Sequence, residues 1–122
     1  MIDYNNRKFA GVENTENGQV SGKTIFHYQQ QGNVVWGNYT GGEITRGSLV
    51  ALADDQGRLN MRYQHVDNKG NLKTGECQTT PEVLPDGRLR LHEKWRWTSG
   101  DHSEGSSIVE ELPPDRAGED KG

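Results

Sequence analysis

The sequence predicts an all-β protein, an up-and-down antiparallel β-barrel of eight strands. Short turn signals recur along the 122-residue chain, and the segments between them are rich in Val, Ile, Thr, Tyr and Trp without helical periodicity. Only 30% of the residues are hydrophobic and 16 are glycine, which is typical of a small, turn-rich domain. Because no helix would cover a strand edge, closure into a barrel is the simplest arrangement, and an open sheet or sandwich is the alternative.

The turn signals set the elements in order. They lie at 17–18, 31–33, 41–42, 54–57, 67–70, 85–87 and 98–101, where Asn-Gly, Gly-Gly, Asp-Gly and related pairs favour hairpin turns. They delimit predicted strands at 7–13, 23–31, 33–40, 43–53, 58–66, 72–80, 88–97 and 104–112. We therefore expect one barrel domain over 1–112, followed by a polar C-terminal tail over 113–122 that has no large apolar side chain.

Side-chain alternation predicts which face of each strand points inward. The alternation in strands five and seven points Tyr63 and Trp95 into the barrel. Three-residue loops ending in glycine carry this face through strand six, because directly opposed residues of an antiparallel pair share a face. A two-residue turn at 41–42 pairs Trp36 with Gly47 and extends the face to strands three and two. The predicted interior is Ile25, His27, Val34, Trp36, Asn38, Gly47, Leu49, Ala51, Leu59, Met61, Tyr63, His65, Gly75, Cys77, Thr79, Leu89, Leu91, Glu93, Trp95 and Trp97.

The outer face of strands two to four is then predicted to be apolar. It would carry Phe26, Tyr28, Val35, Tyr39, Ile44, Val50 and Leu52, whereas strands five to seven are charged outside. An apolar patch of that size is unusual on the surface of a monomer. We therefore expect it to be covered by the N-terminal segment around Phe9 or by a second copy of the chain in a homodimer.

Candidate ligand-binding residues lie in the predicted lumen, and Glu93 is the clearest of them. Its carboxylate stands in an apolar row between Leu91 and Trp95, where burial would raise its pKa or require a partner. The structural alternative is a carboxylate bonded to Thr79, His65 or Lys73. The full candidate set is Trp36, Asn38, Tyr63, His65, Glu93, Trp95 and Trp97.

The remaining polar residues predict little further chemistry. His65 is expected either to titrate near neutrality or to be a satisfied polar residue of the inner face. The four histidines have no metal-ligand spacing, so no metal site is predicted. Cys77, the single cysteine, excludes an internal disulfide and is expected to pack as a small core residue. No glycine-rich strand–loop–helix segment is present, so no cofactor is predicted.

Charge and hydropathy exclude several partners. The net charge is −4 and no basic patch stands out, so nucleic acid is not an expected partner. The chain has neither an apolar run long enough to span a membrane nor the apolar region of a signal peptide. We therefore expect no membrane association and a cytoplasmic location.

The segments 26–35, 39–44, 61–65 and 91–101 (FHYQQQGNVV, YTGGEI, MRYQH and LHEKWRWTSGD) resemble a family of small bacterial proteins of unknown role. The resemblance covers nearly the whole chain and implies a calycin-type barrel, the architecture shared by lipocalins, fatty-acid-binding proteins and avidin. Some members of the family carry the label N-acetylglutamate synthase. No catalytic residue can be carried over from it.

Three functions remain open from the sequence. The first is a barrel that binds a small amphipathic or aromatic molecule in its lumen. The second is an enzyme, either the acyltransferase of the label or an isomerase or lyase with Glu93 and His65 as acid and base. The third is a structural or interaction protein with a filled barrel.

Overall fold

The chain forms a closed barrel of eight antiparallel strands joined in sequence order, which confirms the predicted fold. This computed structural model describes residues 2–113. The strands are β1 (Arg7–Asn14), β2 (Ile25–Gln31), β3 (Val34–Gly41), β4 (Ile44–Ala53), β5 (Leu59–Asp67), β6 (Leu72–Val83), β7 (Leu89–Trp97) and β8 (Glu104–Glu111). Pairing of β1 with β8 closes the barrel. Apart from Pro113, the predicted tail lies outside the described residues.

Glycine turns set the register of β5, β6 and β7 as predicted. Gly70 and Gly87 have positive φ angles of 82° and 91°, a conformation that favours glycine and ends each three-residue loop. Met61 therefore pairs with Cys77, and Cys77 pairs with Trp95. These pairings confirm the predicted inward face of all three strands.

The inward faces of β2 and β3 are the reverse of the prediction. The turn between β3 and β4 is formed by Gly42 and Glu43, and a β-bulge follows, so Gly47 pairs with Tyr39 and not with Trp36. A register shift by an odd number of residues moves every side chain of a strand to the other face. Ile25, Val34, Trp36 and Asn38 are therefore exposed on the outside and His27 is half-buried, while Phe26, Tyr28, Val35 and Tyr39 lie in the core.

This reversal also corrects the predicted outer patch. Phe26, Tyr28, Val35, Tyr39 and Ile44 are buried, so they cannot form an exposed face or a dimer contact. Phe9, expected to cover the patch, is itself a core residue, and its ring centroid lies 4.9 Å from that of Tyr28. Of the predicted outer residues, Val50 and Leu52 are exposed.

Inward rings fit the narrow barrel because they lie against glycines of the neighbouring strands. A side chain on the glycine would collide with the ring in each case. Tyr63 and Gly75, which the sequence placed on the inward face, form one such pair, whereas Gly47 lies against Tyr39 and not against the predicted Trp36. The pairs of ring and glycine are Tyr39 with Gly47, Tyr63 with Gly75 and Trp95 with Gly105.

The two ends of the barrel differ. The lower end, where β2 turns into β3 and β4 into β5, is closed by the N-terminal residues 2–6. Tyr4 is fully buried there, and its hydroxyl donates a hydrogen bond of 2.5 Å to the carbonyl oxygen of Gly57. The upper end is covered by residues 15–24, the cap segment, which connects β1 to β2. The lumen between these two closures contains the candidate site.

Candidate functional site

A cavity lies inside the barrel below the cap segment. The space between its lining atoms is about 460 Å³, including the open mouth, but only about 40 Å³ admits the centre of a water-sized sphere. One water needs about 10–15 Å³ by the second measure, so the cavity takes a few waters or one slim chemical group. Its lining is Asn14, Gly18, Gln19, Val20, Phe26, Tyr39, Leu49, Met61, Tyr63, His65, Cys77, Glu93, Trp95, Trp97 and Ser107.

One wall of the cavity is aromatic. The ring centroids of Trp95 and Trp97 are 5.4 Å apart, and Tyr63 meets Trp97 edge-on at 5.9 Å. The ammonium nitrogen of Lys73 lies 5.2 Å from the centroid of Trp97, a cation–π distance. The rings are fixed by each other and by the glycines opposite them, so the wall is preformed and suits the flat face of an unsaturated ring.

The carboxyl group of Glu93 is the principal buried polar group of the cavity. Its Oε1 accepts a 2.9 Å hydrogen bond from the hydroxyl of Ser107 on β8. Burial raises the pKa of Glu93 to about 7, against the opposing effect of this hydrogen bond. Ser107 was not predicted as the partner, because the length of the turn at 98–102 left the facing of β8 open in the sequence.

His65 belongs to a chain of hydrogen bonds at the mouth of the cavity. Its Nδ1 lies 2.9 Å from the hydroxyl of Tyr39, and its Nε2 lies 2.7 Å from Oε1 of Gln19. The amide nitrogen of Gln19 donates to the Asp67 carboxylate at 3.1 Å, so its oxygen must face His65 and the proton sits on Nε2. Burial, with the nearby positive charge of Lys73, lowers the pKa of His65 to about 4. The imidazole is therefore neutral at pH 7, which agrees with the alternative of a satisfied polar residue and not with a titration near neutrality.

Residues at the cavity and its mouth help to hold the cap segment in place. Gln19 bridges His65 and Asp67, and the indole nitrogen of Trp97 donates a 3.1 Å hydrogen bond to the carbonyl oxygen of Asn17. Both anchors come from residues that also line the cavity or its mouth. Any molecule larger than a few waters therefore requires the cap segment to move.

Several lining residues were missed by the sequence analysis. Tyr39 and Phe26 were placed outside through the wrong turn at 41–42. Asn14 ends β1, and its side chain donates to the carbonyl of Val20 at 3.0 Å, while its buried Oδ1 has no partner within residues 2–113. No strand alternation reaches Asn14, because the long connection to β2 breaks the pattern. The sequence signal for Asn14 is an amide residue at the end of a predicted strand, where the side chain can face the lumen.

The structure places five of the seven predicted site residues in the cavity wall: Tyr63, His65, Glu93, Trp95 and Trp97. The other two were misplaced. Trp36 and Asn38 lie on the outer face of β3, and Trp36 is 40% exposed. Their inward placement followed from the wrong β3–β4 turn, so they cannot contact a molecule in the lumen.

The other reactive side chains of the described chain show no arrangement for acid–base, nucleophilic or metal chemistry. Glu93 and His65 are hydrogen-bonded to different partners, and no contact joins them as an acid–base pair. Burial raises the pKa of the Cys77 thiol, which keeps it protonated and suits a packing role. Across residues 2–113, no group of three His, Cys, Asp or Glu side chains is arranged to hold a metal ion.

The architecture and the cavity together define a class, the small closed β-barrels with an interior cavity at one end. Within this class the chain belongs to the avidin-like family, since the family model described as avidin-like protein matches residues 2–112. This match confirms the calycin-type architecture that the sequence resemblance implied. No curated protein and no solved structure gives a significant match. In the described part of the chain, no helix is long and apolar enough to cross a membrane.

Proposed function

We propose that the protein binds a small amphipathic or aromatic molecule in the lumen of its barrel. The observation that carries this proposal is the buried carboxyl group of Glu93 beside a preformed aromatic wall. Oε1 of Glu93 accepts a hydrogen bond from Ser107, and the buried Oδ1 of Asn14, which also lines the cavity, is unpaired among the described residues. Buried acceptors without donors cost free energy, and a ligand that supplies N–H or O–H groups removes that cost.

The family supports the same function. Avidin-like proteins bind small ligands such as biotin. In this chain, the ring of the ligand would pack on Trp95, Trp97 and Tyr63, and its donors would point to Glu93. Because the closed cavity is small, entry requires displacement of the cap segment. A cytoplasmic location remains part of the proposal, supported by the single, reduced and buried Cys77.

The test is ligand retention and ligand titration. Native mass spectrometry of the protein purified from its own host should reveal a co-purified small molecule. Calorimetric titration should then give binding of that molecule, with biotin and simple aromatic amides as further probes. Glu93→Gln keeps the shape of the side chain and removes its charge, so it should weaken binding at least tenfold.

Trp36→Gln is the matched control, because Trp36 is an aromatic residue on the outer face of the same barrel. It should leave the affinity unchanged. A chain that retains nothing and binds none of the probes would contradict the proposal. So would equal losses of affinity in Glu93→Gln and Trp36→Gln, since only the first residue lines the cavity.

A further inference from the structure

A row of three polar side chains crosses the wall of the cavity. Asn14 on β1 pairs with Ser107 on β8, and Ser107 pairs with Glu93 on β7. Directly opposed residues of antiparallel strands share a face, so the three side chains stand side by side, and all three line the cavity. Ser107 donates its proton to Glu93, and the Asn14 amide donates to the carbonyl oxygen of Val20. The polar row therefore presents acceptors to the lumen, the carboxyl group of Glu93 and the unpaired Oδ1 of Asn14.

Other hydrogen-bond donors of the lining are already engaged within the chain. Four lining side chains direct their donor protons to protein partners: Gln19, Tyr39, His65 and Trp97. The indole of Trp95 and the phenol of Tyr63 are the N–H and O–H groups that remain, and both belong to the aromatic wall. A lining in which the acceptors are free and most donors are spent selects a ligand that brings its own donors.

The carboxyl group of Glu93 has no cation beside it. Among the residues that line the cavity, Glu93 is the one Asp, Glu, Lys or Arg, and none of the ion pairs within residues 2–113 includes it. Lys73 directs its ammonium group to the face of Trp97, 5.2 Å from the ring centroid. A buried carboxylate without a counter-charge is costly, and burial raises the pKa of Glu93 to about 7 for that reason. A ligand that carries a positive charge supplies the missing partner.

The other titratable groups around Glu93 are neutral at pH 7. Burial raises the pKa of the Cys77 thiol, and it lowers the pKa of His65 to about 4. Burial also raises the pKa of the four tyrosines Tyr4, Tyr28, Tyr39 and Tyr63. At the mouth, Lys73 and Asp67 carry opposite charges. The negative charge that a molecule meets inside the lumen is therefore that of Glu93 alone.

We propose that the ligand of the lumen is a planar organic cation, an aromatic ring that bears amidinium-type or guanidinium-type N–H groups, with Glu93 as its counter-ion. This inference rests on the proposed function and adds the charge of the bound molecule. The N–H groups donate charge-assisted hydrogen bonds to Glu93 and meet the free acceptor of Asn14. The flat faces pack on Trp95 and Trp97, whose rings attract positive charge, as Lys73 over Trp97 illustrates. These contacts offset the cost of taking both charges out of water.

Three probes of nearly the same shape and different charge test the inference on the unmodified chain. At pH 7 benzamidine is a cation, benzamide is neutral and benzoate is an anion. Calorimetric titration should give benzamidine a Kd at least about tenfold below that of benzamide, and benzoate should not bind. Passage beneath the cap segment affects the three probes alike, because they differ in charge and hardly in size.

Glu93→Gln should weaken the binding of benzamidine at least about tenfold and leave that of benzamide nearly unchanged, which removes the preference for the cation. Glu43→Gln is the matched control, because it removes the same charge from an exposed residue. It should leave the affinity for every probe unchanged. Near-ultraviolet circular dichroism checks that both variants are folded.

Pairing with a cation should also release a proton from Glu93. At about pH 6 the carboxyl group of the free chain is mostly protonated, and the bound cation ionises it. Titration with benzamidine at this pH, in buffers of different ionisation enthalpy, should show the release of about one proton by the unmodified chain and none by Glu93→Gln.

Benzamide that binds as tightly as benzamidine, or benzamidine that binds without proton release, would overturn the positive charge of the ligand and leave binding in the lumen intact. Equal losses of benzamidine affinity in Glu93→Gln and Glu43→Gln would overturn the role of Glu93 as counter-ion. Failure of all three probes to bind would also overturn the inference. The molecule retained from the host tests the proposed function separately, because its detection does not depend on these probes.

Discussion

Two buried tyrosines, Tyr28 and Tyr39, differ in whether their hydroxyl groups have hydrogen-bond partners. The Tyr39 hydroxyl lies against Nδ1 of His65, while the Tyr28 hydroxyl is buried without a partner in the described chain. Tyr39→Phe leaves a buried imidazole nitrogen unpaired and should lower the free energy of unfolding by about 1–3 kcal/mol. Tyr28→Phe removes a hydroxyl that has no partner and should raise it by about 1 kcal/mol.

Urea unfolding of both variants measures these two changes. The two substitutions remove the same atom from the same residue type in one core, so each serves as the control of the other. Equal destabilisation by both would contradict the assignment of the Tyr28 hydroxyl as unpaired.

Glu93 should make stability depend on pH. Its pKa is 4.5 in the ordinary case and about 7 in the folded chain, so the unfolded state releases the proton first as the pH rises. The contribution of Glu93 to the free energy of unfolding should therefore fall between about pH 4.5 and pH 7, by up to about 3 kcal/mol. The lowered pKa of His65 acts in the opposite direction between about pH 4 and pH 6.5, so the Glu93 contribution is measured as a difference between variants. Glu93→Gln does not titrate, so its stability relative to the unmodified chain should increase across the same window.

The exposed Glu43 provides the control for this comparison. Glu43→Gln should follow the pH profile of the unmodified chain. A Glu93→Gln profile parallel to that of the unmodified chain would show that the carboxyl group is solvated, and the proposed role of Glu93 in the lumen would fail with it.

At the scale of the strand, close packing of rings on glycines fixes the shape of the cavity wall. A methyl group on Gly75 would collide with the ring of Tyr63. Gly75→Ala should therefore cost about 1–3 kcal/mol by overpacking, or push the ring into the cavity and weaken ligand binding. Gly22→Ala is the control, because the added methyl group would meet only the carbonyl oxygen of Gly11, at an ordinary 3.6 Å. Thermal melts and ligand titration of both variants distinguish the two outcomes.

The strands also show how far the sequence determines the site. Alternation and three-residue glycine loops were sufficient for β5, β6 and β7, so Tyr63, Glu93 and Trp95 were placed correctly. At 41–42 two adjacent glycines allow several turns, and the chain adopts the one formed by Gly42 and Glu43, with a bulge after it. Local propensity does not distinguish these turns. The choice depends on packing that appears only when Tyr39 lies over Gly47 in the closed barrel.

At the scale of the whole molecule, the same strands serve two surfaces. Tyr39 and Leu49 face the cavity from β3 and β4, while Trp36, three residues before Tyr39, and Val50, the residue after Leu49, face outward. The alternation of a strand thus places the proposed ligand site and exposed apolar side chains on opposite sides of one sheet. A substitution on the outer face, such as Trp36→Gln, can therefore serve as a control for substitutions in the lumen.

The pairing of β1 with β8 also bears on how the protein folds. Phe9 pairs with Glu111, and Tyr4 is hydrogen-bonded to Gly57, so contacts between residues that are distant in the chain complete the barrel. Such contacts cost loop entropy before they return any stability, which makes barrel closure a slow, late event. Until it occurs, Ser107 of β8 and Asn14 of β1 are not held together around a lumen. The polypeptide therefore acquires its ligand pocket only when the first strand of the barrel meets the last.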